Sequence, residues 1–576
     1  MRNDGFQVID TDVLVVGGGL AGCWAAIGAR EEGAQVTLVD KGVVARSGTI
    51  LYCHDALAPL PEGQQDIWMR EMVEHSEFLS DQAFLKTLLM EEGDRIRDLI
   101  SWGVPFERDE RGQLVKTLGR GHKISEVVLF DGRKMMEVVK RQLVRQNINL
   151  VERTMVTDLL TSDGSHPTGG RIVGALGLHG RKGTMVVFQA RAVVIATGFI
   201  SLKLHAAFGD NLTGDGQAMA FRAGASLTGM EFLFCPGFCC IKEGRLIGRS
   251  MIQFQTLGAQ IVNGQHERFM ERYVPQRKER RATFGLLAQA MVKEIMEGRG
   301  PIYFDMRHFT DEEMKRARRI IPTTFSMLDD AGIDPARELV ECRPIVNHLA
   351  GNAHGGIHTE KDGASDVPGL WAGGAAAFFA GCTEPLSGGM VAYCNVFGQR
   401  TGRSAGRYAA DCEQAKFDWD QVKRLRQELF APLERDDPMR PVDIYFRLAR
   451  KMLKPEYSII KNQASIMDMI NEVDASSRED LPRLSASNIH ELIKAQEAKN
   501  FLDLLAPMYL ASLERKESRL THYRQDFPFQ DYTQWLKWVK ITKGPVGQEV
   551  GFRPVPVDKN PLKPPERARV ASPVII

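Results

Sequence analysis

Glycines at positions 17, 19 and 22 stand in the spacing G-x-G-x-x-G, inside the run GGGLAG, and Asp40 closes the next apolar segment, QVTLVD. These residue types in this order bind a dinucleotide. Gly17 permits a tight turn, Gly19 lets the backbone approach a pyrophosphate, and Gly22 lets a helix lie close on a sheet. Leu20 and Ala21 open that helix, whose free N–H groups and positive dipole end face the phosphates. Asp40 is placed to accept hydrogen bonds from a ribose, with Lys41 beside it. Such a site needs strand, turn, helix and strand within about 30 residues. The sequence supplies them: the apolar run DVLVV at 12–16, the glycine turn, the small-residue helix CWAAIGAREEG, and the strand ending at Asp40.

The chain then returns to this site. RAVVIATGF at 191–199 reads as another buried strand, ending in Ala196, Thr197 and Gly198. TGDGQAMAFRAGA at 213–225 reads as a helix-entry turn with Gly214, Asp215 and Gly216 near the cofactor; a loop with Asp215 as a plain N-cap is the alternative. VPGLWAGGAA at 367–376 carries Gly373 and Gly374. A simple NAD domain does not need these returning segments. A large FAD domain does, so the expected cofactor is FAD.

Between about 240 and 345 charged helical patterns such as HERFMERYVPQRKERR mark an inserted domain. From about 413 to 515 the pattern is helical and amphipathic. The final stretch is rich in proline, has no clear period and reads as an extended arm, suited to wrapping a partner subunit. The expected fold class is α/β. A Rossmann-like FAD-binding domain (1–240 and 345–412) is interrupted by an α+β capping domain (241–344). A helical domain (413–540) and an extended C-terminal arm (541–576) follow.

Composition sets the limits. The 576 residues exceed what one hydrophobic core serves. A formal net charge of +1 gives no electrostatic case for nucleic acid or an anionic membrane surface. No run of about 18 apolar residues marks a membrane span. MRNDGFQVIDTD lacks both a signal-peptide pattern and a twin-arginine pair, so the expected location is the cytoplasm. Nine scattered cysteines read as reduced thiols, and the one cluster, CPGFCC at 235–240, lacks the second pair a metal site needs. No metal is expected on this chain.

Taken in order, several segments resemble the flavoprotein subunits of succinate dehydrogenase and fumarate reductase, with L-aspartate oxidase and the alpha chain of adenylylsulfate reductase as relatives. They are VVGGGLAG, VIATG, TGDGQAMAFRAGA followed by GMEF, ERFMERYVP with EGRGPIYFD, HGGIHT, VPGLWAGG, VFGQRTGRSAG and ESRLTHYRQDFPFQDYTQW. RSGTI at 46–50 and EGRGPIY at 297–303 are closest to the adenylylsulfate reductase branch. The resemblance implies a substrate oxidised or reduced at the flavin under the cap, and electrons exchanged with a separate, ferredoxin-like iron–sulfur subunit. It also implies cofactor contacts at Ser47 and Gly48 and, near the pyrimidine end of the flavin ring, at Ser387, Gly388 and Gly389.

The departures bear on chemistry. Relatives with covalent FAD carry a histidine where this chain has Gly48, so non-covalent FAD is expected. Thr283 aligns with the proton-shuttling arginine of the succinate and fumarate enzymes, with Arg280 and Arg281 close by. Pro385 or Glu384 stands in place of a second arginine that clamps a carboxylate, and Glu384 is itself a candidate pocket carboxylate. Cys235 replaces one histidine, and His348 or His354 is a shifted candidate for another. The asparagine of adenylylsulfate reductases aligns with Ala58. A dicarboxylate needs two fixed cations, so these losses argue against succinate and fumarate.

The expected function is an FAD-dependent oxidoreductase subunit passing electrons between a small anionic, organic-acid or thioester substrate and an iron–sulfur partner. Its candidate catalytic residues are His348, His354, Arg280, Arg281, Glu384 and Cys235. One alternative is an electron-relay flavoprotein without its own substrate. Another is an ordinary fumarate reductase, succinate dehydrogenase or adenylylsulfate reductase alpha-like enzyme.

Overall fold

The computed structural model describes residues 6–201, 211–247, 252–275, 282–349 and 355–576. Apolar, largely β-branched runs build its main sheet. The strand Phe6–Val16 lies between Val36–Val39 and Met185–Ile195 and runs parallel to both, with Val16 opposite Val39 and Ile195. Asn149–Val151 extends the sheet on one side, Leu370–Ala372 pairs parallel with Met185–Ile195, and Ile172–His179 and Thr154–Thr161 continue it antiparallel. Gly17, Asp40 and Ala196 therefore all sit at the carboxyl ends of parallel strands, where sheets of this kind bind ligands.

Two helices cover one face at backbone contact. Leu20–Glu31 is rich in alanine, and the long helix Gly389–Asp411 meets it with Gly398, Gly402 and Gly406. A Cβ at Gly402 would lie 1.9 Å from the Ala25 carbonyl oxygen. Small residues at this spacing let the long helix lie close enough to aim its N-terminus, at Gly388 and Gly389, toward the glycine turn.

The inserted cap has its own sheet. Phe234–Lys242 and Val340–Leu349 pair antiparallel from Phe234–Leu349 to Cys240–Cys342, and Ile302–Asp305 and Gln260–Val262 continue outward. The two pairing strands straddle the expected limits at 240 and 345. The helix Phe284–Met296 covers this sheet, with the Phe284 and Phe238 rings stacked at 6.2 Å. Thr283 caps that helix by accepting the Leu286 N–H.

Helices Trp419–Phe430, Pro441–Met452, Gln463–Ala475 and Ile489–Glu514 form the helical unit. The segment after 541 is not a free arm. Lys537–Lys543 pairs with Leu227–Thr228 of the FAD domain and with Gln548–Pro554. Trp538 is buried and donates its Nε1–H to Thr383 Oγ1 at 2.9 Å. Arg569–Ala571 pairs with Phe529–Asp531, and Val574 is fully buried. Proline enrichment removed the periodic signal, but tertiary pairing holds this stretch on its own chain. No helix among the described residues is long and apolar enough to cross a membrane.

Candidate cofactor and active site

The glycine turn has the geometry its spacing implies. Gly17 has φ +109°, and a Cβ there would lie 2.4 Å from the Ala196 carbonyl oxygen. A Cβ at Gly22 would fall 1.8 Å from the Gly17 oxygen, so any side chain would force the helix off the sheet. Gly19 has nothing within 4 Å of its Cβ position, and the helix it starts has no side-chain cap. The first-turn N–H groups thus face open space, which suits a pyrophosphate.

That space is a cavity of about 1790 Å³, counting its open mouth. Most of the expected cofactor residues line it; Gly214, Gly216 and Gly389 do not, and neither do Gly22, Gly373 and Gly374. The last three pack behind it, Gly373 through an N–H bond to the Ile195 carbonyl and Gly374 against Ala21. At one end Asp40 is 7% exposed and accepts from Gly18 N, Gly42 N and Ser47 Oγ at 2.7, 2.6 and 2.8 Å. The carboxylate thus shapes the turn itself, and its remaining lone pairs are what a ribose would meet. Lys41 donates to Thr213 Oγ1, Asp215 Oδ2 and Glu497 Oε1 at 2.6, 2.8 and 2.9 Å, and its two carboxylate partners raise its pKa against the effect of burial. Gly214, at φ +73°, is the N-cap of helix Asp215–Arg222.

The other end is bounded by His54, Arg120, Phe284, Leu386, Ser387 and Gly388. The Arg120 guanidinium, 4% exposed, lies 3.8 Å from the Phe284 ring centre and donates to the Pro385 carbonyl at 3.2 Å. Arg120 thus brings a cation against the backbone of residue 385. His122 holds Ser387 in place: its Nε2 lies 2.9 Å from the Ser387 carbonyl, and Nδ1 lies 2.7 Å from Ser125 Oγ. Burial lowers the His122 pKa, and both ring nitrogens face carbonyl oxygens, Nε2 that of Ser387 and Nδ1 that of Ser125 at 2.8 Å. The Ser387 hydroxyl in turn donates to Asp55. His54 Nδ1 has no hydrogen-bond partner among the described residues. Burial pushes the Cys53 and Cys394 thiols in the cavity wall up to about 12, which leaves both protonated and unreactive.

Of the catalytic candidates, Arg280, Arg281 and His354 lie outside the described residues. Cys235 and His348 are register partners on the two cap strands. Glu384 is fully buried behind the cavity wall, where its Oε1 accepts the Phe284 N–H at 2.6 Å and lies 3.9 Å from His75 Nε2. Its visible role is to tie the cap to the FAD domain. Sequence reasoning missed Arg120, His54 and Phe284. The one available signal for Arg120 was its setting between two glycines in LGRGH.

Residues 12–391 match the family model for the FAD binding domain, and 449–569 match that for the fumarate reductase flavoprotein C-terminal region. The chain is 28% identical to a fumarate reductase (CoM/CoB) subunit of Methanothermobacter marburgensis, over 95% of this chain and 99% of that one. It is also 28% identical to the succinate dehydrogenase flavoprotein subunit of Rickettsia felis, over 94% and 95%. In fold it is similar to the quinol fumarate reductase flavoprotein of E. coli (TM-score 0.85, 22% identity, 97% and 99% covered). It is similar too to adenylylsulfate reductase of Archaeoglobus fulgidus (TM-score 0.79, 22% identity, 96% and 96% covered). With the glycine turn, the returning segments and a cavity that fits the nucleotide, the chain belongs to the FAD-binding fumarate reductase and succinate dehydrogenase flavoprotein family and is an FAD-dependent oxidoreductase.

Proposed function

We propose that this protein is the flavin subunit of a multisubunit oxidoreductase. It exchanges electrons between a small substrate carrying one anionic group, bound at Arg120, and an iron–sulfur partner protein. The observation that carries this reading is the buried Arg120 guanidinium at the end of the cavity opposite Asp40 and Lys41. The glycine turn fixes the pyrophosphate between these ends, so the Arg120 end is where the flavin ring and substrate meet. Among the described residues that line the cavity, Arg120 is the one arginine. One guanidinium matches one carboxylate or sulfo group, not two. When bound, FAD supplies two-electron chemistry at its ring nitrogen N5.

The residues divide the work. Arg120 binds and orients the anion, and the Phe284 ring beneath it keeps water away. His54 is the imidazole at this end and the candidate to hold or release a proton, together with Cys235 and His348 on the cap strands. Ser387 is held at this end of the cavity by His122 and Asp55. The iron–sulfur partner follows from the family resemblance and from relatives whose names call them subunits.

The test is an anaerobic flavin spectrum. Succinate is offered to the oxidised protein, fumarate to the reduced protein, and then sulfite with AMP and candidate thioesters. A monoanionic compound should change the spectrum of the unaltered protein. Arg120→Met should keep its FAD and lose that response by about a hundredfold or more. Silence toward every compound, with fast electron exchange from an iron–sulfur protein, would overturn the reading in favour of an electron relay. Fast reoxidation by fumarate would make the substrate a dicarboxylate.

A further inference from the structure

The end of the cavity that receives the adenosine half of FAD is not built by the FAD domain alone. Lys41 lines it, and a lysine ammonium has three donors. All three are engaged: Thr213 at 2.6 Å, Asp215 at 2.8 Å and Glu497 at 2.9 Å. No donor remains for a phosphate. The lysine instead fastens three separate pieces of chain: the end of the second strand, the TGDG turn, and the helix Ile489–Glu514 of the C-terminal helical unit.

That helix holds the turn as well. Asn500 Nδ2 donates to Asp215 Oδ1 at 2.8 Å, the same oxygen that takes the Thr213 hydroxyl at 2.8 Å. Asn500 Oδ1 takes Arg222 Nη1 at 2.8 Å, and Arg222 reaches Asp158 and Asp503. Leu504 packs so closely that a Cβ at Gly214 would lie 2.4 Å from its Cδ1. Glu497 and its partner Lys494 complete the network, with the Glu497 side chain 3% exposed. Asp40, Lys41 and Asp215 all line the cavity.

We propose that Glu497 and Asn500 are positioning residues of the cofactor site. They act through Lys41 and Asp215 and make retention of the adenosine half of FAD depend on docking of the helical unit. Neither residue lines the cavity, and neither belongs to the G-x-G-x-x-G turn. The dependence is reciprocal, because a ligand that favours the docked arrangement is favoured by it equally.

The experiment uses the full chain. FAD affinity of the apoprotein is measured by flavin fluorescence for the unaltered protein, Glu497→Gln, Lys41→Met and the double variant, with ADP and FMN as separate probes. Glu497→Gln should weaken FAD and ADP by about tenfold, the scale of one charged hydrogen bond. It should leave FMN within about twofold, and Glu497→Asp should restore part of the loss. In the Lys41→Met background Glu497→Gln should add nothing. Unchanged FAD and ADP affinity overturns the proposal, as does an equal loss for FMN or full additivity with Lys41→Met. Should the variants not fold, hydrogen exchange of the unaltered protein decides. Amides around Glu497 and Asn500 should slow on FAD binding, and equal exchange with and without FAD would refute the coupling.

Discussion

The Glu384 carboxylate accepts the Phe284 backbone N–H at 2.6 Å. This bond joins the segment that carries Ser387 and Gly388 to the first turn of the cap helix. A carboxylate at a helix N-terminus gains from the helix dipole as well as from the hydrogen bond. Glu384→Ala should therefore loosen the cap at a cost of about 1.5–3 kcal/mol. Because Glu384 does not line the cavity, flavin content should hold. Faster hydrogen exchange at Phe284–Leu286 with unchanged FAD per chain is the expected result, and protection equal to that of the unaltered protein would refute it.

Gly402 meets Ala25 at backbone contact. Gly402→Val places a side chain where 1.9 Å separates the Cβ position from a carbonyl oxygen. Overpacking of this kind costs about 1–3 kcal/mol, and it would lever Gly388 and Gly389 away from the cavity. Thermal melting should fall by several degrees and purified protein should carry less flavin. A variant with native melting and full flavin content would contradict the packing argument.

Lys461 is fully buried and donates to the Ser458 carbonyl at 2.7 Å, with the Phe234 ring 4.3 Å away. Burial, with Arg524 nearby, brings its pKa down to about 7. Its folded value lies below the unfolded one, so the unfolded chain binds more protons between about 7 and 10.5 and stability rises with pH across that window. The penalty is complete below about 7 and absent above 10.5. Lys461→Met should raise stability by a few kcal/mol at pH 6 and by little near pH 10.5. Denaturant titrations at the two pH values check this, and an equal gain at both would contradict it.

The sequence resemblance places Gly48 where covalent relatives carry histidine, and its Cβ position lies 3.3 Å from the Gly19 Cα. It offers no side chain for a bond to the flavin. Acid precipitation should leave a colourless pellet and release all FAD to the supernatant. Yellow peptide after proteolysis would mean attachment through another residue.

What could be read from the sequence was what depends on near neighbours. The glycine turn, its strand and its helix are specified within one stretch, and their geometry follows from steric rules about glycine. Thr283 aligned with a catalytic arginine, yet locally it is a helix cap, and the cap is what its hydroxyl serves. Arg120 was silent because its meaning lies in Pro385 and Phe284, far away in the chain. Lys41 was visible as a neighbour of Asp40, but its third partner, Glu497, belongs to a helix that sequence reasoning assigned to another domain. The proline-rich tail shows the same limit: composition reports the absence of a period, not the presence of a pairing strand.

The strand Lys537–Lys543 completes a sheet with Leu227–Thr228, and its Trp538 reaches Thr383 beside the cofactor cavity. A ribosome adding about 5–20 residues per second needs on the order of half a minute to travel from the first of these partners to the last. For that interval the nascent FAD domain exists without one strand of this sheet, and Leu227–Thr228, paired with Gly356–Ile357 on its other side, presents an open edge. Completion of this sheet is thus an event of late synthesis, and a vulnerable period precedes it, during which its edge is unpaired.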